Sequence, residues 1–342
     1  MKIGFLAAAA AISALALPVA ARDIEMQSIY PGSLPLLGSS GAELGDRVSK
    51  ITNGELNFIF RNPGEIVAGN EIWDSLSTGA IEAAWYSPGF AEGVVPSASL
   101  FTSFPFGPDV REYTAWWYNG GGYELWNEIS APYNIHSELC SILVPEASGW
   151  FKEEIKTAED LKGKKMRVFG LGAAVMEKLG VAAQSMPPAD TMSALNLGTI
   201  DAAEMSFPAI DYALGMYEHA KHLYFPGWHQ QTSLIVFMMN TDSWNGLSDR
   251  DRAAIQEVCA ANVARTTAQG EAIEIEPLKK MQEEHGVTVH RWSPEMLKVF
   301  SDTWDEVVAE KTAESEEFKR VWDHIQAFRA DYAQWKSLGY ID

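Results

Sequence analysis

Ser75-Leu76-Ser77-Thr78-Gly79-Ala80-Ile81-Glu82-Ala83-Ala84-Trp85 returns 119 residues later as Ala194-Leu195-Asn196-Leu197-Gly198-Thr199-Ile200-Asp201-Ala202-Ala203-Glu204. Six of the eleven positions keep their type: Leu, Gly, Ile, an acid, Ala and Ala. Each copy reads as a helix that ends in a Gly, where a left-handed residue is needed. An acid and a short apolar strand follow. In open α/β sheets ligands sit outside the carboxyl ends of strands. Two such units, one per lobe, would aim Trp85-Tyr86-Ser87 and Glu204-Met205-Ser206 at a shared cleft.

The rest of the chain alternates in the same way, which signals an α/β protein. Strand candidates are 24–28, 56–60, 83–86, 141–144, 165–169, 202–205 and 232–240. Helix candidates are 40–52, 69–77, 111–119, 158–161, 173–179, 188–197 and 210–217. After Leu247 the pattern is helical with few breaks to about 284, then over 294–312 and 316–335. Ser248-Asp249 is a good N-cap followed by an acidic first turn.

The amino terminus reads as an export signal. Lys2 is the only charge before Arg22, and the run between them is apolar up to Val19-Ala20-Ala21, small residues ahead of a cut after Ala21. Its apolar part falls short of the roughly 20 residues a membrane span needs. Removing this segment takes away Lys2 and moves the formal net charge from −20 to −21. So acidic a surface argues against nucleic acid, whose phosphates demand Lys and Arg. The mature chain exceeds one typical core, so two lobes are expected. Cys140 and Cys259 can form one bridge in an oxidising compartment, or Cys259 can be a buried free thiol in its helix.

Arg167 lies inside the apolar strand Met166-Arg167-Val168-Phe169. A buried Arg there demands a partner. Gly170-Leu171-Gly172 and a helix start follow, a site that suits an anion, and Arg matches a carboxylate with two prongs. A buried ion pair without a ligand is the other reading. The third glycine of a dinucleotide fingerprint is missing, since Val175 stands there. Glu204 has apolar flanks, so it faces an enclosed space and either pairs with Arg167 or binds a cation. Glu146 sits where a strand exits into a loop. Candidate aromatic walls are Trp85, Tyr86, Trp150, Phe169, Phe207 and Trp228. No nucleophile elbow, zincin motif or P-loop is present. His219 and His222 are three apart on an expected helix and read as a solvated face, while His285 and His290 have no local partner.

Several stretches carry a resemblance to a known family. They include Arg61-Asn62-Pro63-Gly64-Glu65, Ala84-Trp85-Tyr86-Ser87-Pro88-Gly89, Phe104-Pro105-Phe106-Gly107, Gly120-Gly121-Gly122-Tyr123-Glu124-Leu125-Trp126, Ser148-Gly149-Trp150-Phe151, Leu161-Lys162-Gly163 and Tyr224-Phe225-Pro226-Gly227-Trp228. Together they resemble the periplasmic solute-binding proteins of TRAP transporters, in particular the branch that takes 2-oxo and 2-hydroxy monocarboxylates. The resemblance implies two α/β lobes with hinge strands and a long helix spanning both. The expected division is a leader over 1–21, one lobe from 22–145 with 233–270, and another from 146–232 with 271–315. Residues 316–342 would form a helical segment packing across the lobes.

By the same resemblance, Arg167 binds the substrate carboxylate, and its replacement by Ala abolishes binding with the fold intact. Glu204 helps hold a bridging metal, with Met205 adding a backbone carbonyl where Trp is usual. Trp85, Tyr86, Phe169 and Trp228 would line the site. Glu146 stands where the branch commonly has Gln. With Gln, one Arg, one Glu and a monocarboxylate leave a single negative charge, which one sodium ion balances. Glu146 adds a second, which a dry cleft cannot leave uncompensated. A divalent ion, a ligand that carries its own amine, or a protonated Glu146 would answer it. The divalent ion is favoured, calcium over sodium. The expected protein is a periplasmic carrier, a monomer, handing a small organic carboxylate to TRAP membrane permease subunits and performing no catalysis. A secreted enzyme on the same scaffold and a sensory ectodomain are the competing readings.

Overall fold

The structure, a computed structural model, describes residues 21–186 and 188–341; the leader reading, apart from Ala21, lies outside the described residues. The strands, in chain order, are β1 (Arg22–Ser28), β2 (Leu56–Arg61), β3 (Ala83–Tyr86), β4 (Ile135–Leu143), β5 (Gly149–Phe151), β6 (Lys165–Arg167), β7 (Ala182–Gln184), β8 (Ala202–Ala203), β9 (His222–Phe225), β10 (Ser233–Asn240) and β11 (Thr288–Arg291). They form two sheets, ordered β2-β1-β3-β10-β4 and β11-β9-β5-β8-β6-β7. Each sheet carries one copy of the repeated unit. Gly79 (φ 76°) and Gly198 (φ 69°) both turn left-handed after their helices, and lead into β3 and β8.

Each sheet is a mixed core of parallel and antiparallel pairs. In the first, β1 runs parallel to β2 and β3, whereas β10 is antiparallel to β3 and β4. All eight residues of β10 are buried, as expected for a strand covered on both faces. In the second sheet β5 is antiparallel to both β8 and β9.

The chain crosses between the sheets in two short hinge segments, residues 144–148 after β4 and 226–232 before β10. Backbone bonds lace these segments together: Gly227 N–H donates to Glu146 O at 2.9 Å and Ser148 N–H to Tyr224 O at 2.7 Å. A side chain at Gly227 would place its Cβ 2.4 Å from Glu146 O, so only glycine permits this approach.

The third crossing is helical. Helix Asp249–Ile273 packs on β4, and Ile275–Glu283 packs on helix Pro208–Leu214 of the second lobe. The single long helix is thus interrupted. Pro277 lacks an N–H, and its ring would clash with the carbonyl four residues back, at Ile273. Glu274, at the break, accepts from Ala209 N–H at 3.0 Å.

Cys140 on β4 and Cys259 on the long helix are disulfide-bonded, which decides between the two sequence readings. Closing so long a loop stabilises mainly by restricting the unfolded chain. Helix Pro294–Glu314 meets helix Gly172–Lys178 of the second lobe, whereas the last helix, Glu316–Gly339, lies on Val110–Asn119 of the first. Arg329 and Lys336 of that last helix pair with Glu112 and Asp109. Among the described residues, no helix is long and apolar enough to cross a membrane.

Candidate functional site

Arg167 closes β6 and is 2% exposed. Its Nη1 donates to the Glu204 carboxylate Oε2 and to the Glu204 backbone O, each at 2.7 Å, and its Nε donates to Met186 O at 3.1 Å. These bonds leave Nη2 unused among the described residues. Glu204 is equally buried, and its Oε2 also accepts from Phe169 N–H at 3.1 Å. Burial alone would push this carboxyl up. The Arg167 charge, then His229 and the Phe169 N–H, more than offset that and hold its pKa at about 2.

Glu146 comes from the first hinge segment and is 1% exposed. Its Oε1 accepts from Ser206 Oγ at 2.9 Å, while Oε2 is buried without a partner. Burial first, and the neighbouring Glu204 charge second, raise its pKa well above the ordinary range. Behind Ser206 lies Asp211, which accepts from Ser206 N–H at 3.1 Å and from Trp150 Nε1–H at 2.6 Å. Burial raises Asp211 to about 8, so it is mostly neutral at pH 7. Glu204 and Arg167 therefore carry the charge of the site, and Glu146 is held toward its neutral form until a cation lies beside it.

These groups face a small cavity between the lobes and the hinge. Tyr30, Leu37 and Phe90 line it from the first lobe; Arg167, Phe169, Glu204, Met205 and Ser206 from the second; Glu146 and Gln230 from the hinge. It leaves about 30 Å³ for the centres of water-sized molecules, where one water needs roughly 10–15 Å³. The walls stand close together, as in a clasped cleft. Phe169 faces Phe90 across it, with ring centroids 4.7 Å apart.

Three aromatic residues expected at the site lie elsewhere. Trp85 points into the first lobe, where its Nε1–H donates to Leu37 O at 2.7 Å. Its ring presses on Gly41, where a Cβ would come within 2.7 Å. Tyr86 sits one layer back, behind Phe90. Trp228 stacks on Phe300 at 4.4 Å and on Phe106 at 6.0 Å, bracing the second hinge segment. β3 is buried on both faces, which takes Trp85 and Tyr86 into packing on either side of it, while Trp228 is held in the second hinge segment by its stacking. Tyr30 and Phe90, which the sequence reading passed over, supply the first lobe's aromatic wall.

His229 was also passed over, one residue beyond the Trp228 motif. It is 3% exposed, its Nε2 has no hydrogen-bond partner, and that atom lies 3.6 Å from Glu204 Oε1. Glu146, Glu204 and His229 each offer a ligand atom, all within 4.8 Å of one another. The charge problem at Glu146 calls for a cation but does not single out His229. Among the other histidines, His222 differs from expectation, while His285 and His290 have partners that are remote in sequence. His222 is not on a helix: the chain turns into β9, and its Nδ1 bonds His290 Nε2 at 2.9 Å. His285 stacks on Tyr217 with centroids 3.9 Å apart.

Two α/β lobes joined by hinge segments, with paired buried charges between them, define a solute-binding protein of the two-lobed extracytoplasmic class. The chain belongs to the bacterial extracellular solute-binding protein family 7, whose pattern spans residues 33–315, the family of TRAP transporter binding proteins. It is 31% identical over 317 residues to a monocarboxylate 2-oxoacid-binding periplasmic protein of Nostoc sp., covering 92% of this chain and 86% of that one. A TRAP transporter solute-binding protein from Bordetella bronchiseptica, with copurified calcium and picolinate, superposes with a TM-score of 0.90. It is 29% identical, over 94% of this chain and 95% of that one. A TRAP periplasmic solute-binding protein from Pseudoalteromonas atlantica, with sodium and pyruvate, gives a TM-score of 0.89 at 25% identity, over 93% and 97%.

Proposed function

We propose that this protein binds a small 2-oxo or 2-hydroxy monocarboxylate through Arg167 and a bridging cation, and delivers it unaltered to a TRAP membrane permease. The observation that carries the reading is the buried Arg167–Glu204–Glu146 cluster at the hinge. Each lobe and both hinge segments contribute to its cavity, so a ligand there draws the lobes together. Arg167 Nη2 is the prong left for the ligand carboxylate. Glu204, Glu146 and the Met205 carbonyl are the oxygen donors for the cation, and Phe169 and Phe90 exclude water. The relatives support a cation as such: calcium accompanies picolinate in one and sodium accompanies pyruvate in another. With Glu146 ionised by a cation beside it, two carboxylates, one guanidinium and a monocarboxylate leave two negative charges, so a divalent ion, calcium rather than sodium, closes the balance. An exported monomer that turns nothing over fits this role.

Calorimetry with pyruvate and other 2-oxo acids, on protein dialysed against chelator and then resupplied with cation, tests the reading. Carboxylate binding that needs a divalent ion supports it. Affinity unchanged after complete cation removal defeats the bridge, and a ligand recovered by mass spectrometry that bears an amine replaces it. Glu146→Gln is expected to move the cation requirement from divalent toward sodium.

A further inference from the structure

We infer that Phe90 sets the length of the acid this site accepts, holding it to ligands with short uncharged tails. This rests on the carboxylate-carrier reading above and names the substrate size that reading leaves open. The inner cavity has a larger neighbour. An outer groove runs between the lobes, bordered by Gly89, Phe90 and Glu92 of the first lobe, by Glu177 of the second, and by Lys311 and Glu314 of helix Pro294–Glu314. It offers about 650 Å³ for the centres of water-sized molecules, against about 30 Å³ inside. Among the described residues, Phe90 is the one that lines both.

Packing builds the partition. Phe90 meets Phe169 across the cleft at 4.7 Å, and is backed by Tyr30 at 6.1 Å and Tyr86 at 5.9 Å. Its backbone is fixed: Phe90 N–H donates to Ser87 O at 3.1 Å, and Gly89 N–H to Thr102 Oγ1 at 2.7 Å. Gly89 also permits the approach, because a Cβ there would lie 2.9 Å from Phe169 Cζ. A ligand whose carboxylate takes Arg167 sends its tail away from the charged hinge. Leu37 and Leu143, the aliphatic walls, are backed by the buried core of the first lobe. A longer tail therefore meets Phe90, and beyond Phe90 lies the groove. Charge decides what that groove admits. Glu92, Glu177 and Glu314 face Lys311, whose Nζ is already paired with Glu92 Oε1 at 3.0 Å. A second carboxylate is repelled there, whereas an apolar tail is not.

The test is calorimetry on the full mature protein in calcium-containing buffer, with pyruvate, 2-oxobutyrate, 4-methyl-2-oxopentanoate and 2-oxoglutarate as probes. Wild type, Phe90→Leu and Phe90→Ala are compared. Wild type is expected to bind pyruvate at least about 30-fold tighter than 4-methyl-2-oxopentanoate, since one surplus methylene in a filled apolar site costs roughly 10–200-fold. Phe90→Ala should bring that ratio to within about 3-fold by tightening the long acid. Phe90→Leu should fall between, with 2-oxoglutarate excluded throughout. Should the alanine variant fail to fold, the order of the probes in Phe90→Leu decides. Equal affinity of wild type for pyruvate and 4-methyl-2-oxopentanoate overturns the inference, as does an equal loss of every acid in the folded variants. Pyruvate binding with a length preference indifferent to Phe90 would remove this inference alone, whereas no binding of any 2-oxo acid to wild type would remove the carrier reading with it.

Discussion

The two copies of the repeated unit share a backbone and part ways at the last side chain. Gly79 and Gly198 adopt the same left-handed turn, and β3 and β8 both run toward the cleft. In the first copy the strand continues past Trp85 to Tyr86, with Trp85 registered against both Ser28 and Phe237. Its ring is thereby committed to the lobe's own packing, supporting Leu37 from behind. In the second copy the strand stops at Ala203, and the next residue, Glu204, is free to meet Arg167 and face the cavity. An echo in sequence thus reports where the scaffold points. Neighbouring strands decide which copy faces the cavity and which one holds a wall in place.

Disrupting the second copy should have the largest effect. Arg167→Ala is expected to weaken carboxylate binding at least 100-fold by calorimetry, roughly 3 kcal/mol or more. The sequence reading had this variant folding intact, but the Arg167–Glu204 pair changes that. Stranding Glu204 as an unpaired buried charge should cost about 3–5 kcal/mol in denaturant unfolding. Wild-type stability in this variant would show that Glu204 has another partner.

The first copy should respond in the opposite sense. Trp85→Phe removes the donor to Leu37 O, at an expected loss of about 1–3 kcal/mol, while affinity stays within a few-fold. A large affinity loss with little change in stability would mean that Trp85 reaches the ligand after all.

The acids around the second copy also predict a pH profile. Asp211 is raised to about 8 and Glu274 to about 7, in both cases by burial above all. Each keeps a proton in the folded chain that it releases when unfolded, so stability should fall as pH rises from about 4 to about 8. Glu204, held at about 2 against its burial mainly by Arg167, acts the other way. Its contribution is present above the ordinary carboxylate range and lost as pH falls toward 2. The thermal midpoint should be highest at mildly acidic pH, and Asp211→Asn should flatten the alkaline side. A profile unmoved by that variant would count against a protonated Asp211.

The smallest effect should be shared. Gly79→Ala and Gly198→Ala each place a Cβ at positive φ, in uncrowded surroundings, for a cost of about 1–2 kcal/mol. Unequal costs would break the equivalence of the two turns.

Much of this molecule was legible before folding. Four of the five strands of the first lobe, the two glycine turns and the central position of Arg167 follow from periodicity and from the expense of burying a lone guanidinium, whereas β4 (Ile135–Leu143) was expected only over 141–144. The short strands β5, β7, β9 and β11 were not, because three or four residues carry too little periodicity. Within the site, Arg167, Glu204, Glu146, Met205 and Phe169 could be singled out, since charges in apolar company and strand exits are local features. Trp85, Tyr86 and Trp228 do not line the cavity, and the sequence could not show that because a buried ring looks the same whether it faces a core or a ligand.

By itself, the sequence determined the class of fold, the charge problem posed by Glu146 and the family. Only the tertiary structure decided that Cys140 meets Cys259, that Tyr30 and Phe90 replace the expected aromatic wall, and that His229 joins the two acids. Those outcomes depend on hinge segments some 80 residues apart in sequence lying side by side, held by bonds such as Gly227 N–H to Glu146 O. Contacts at that range leave no periodic trace in the chain, because they are set by how whole lobes dock and not by any local preference.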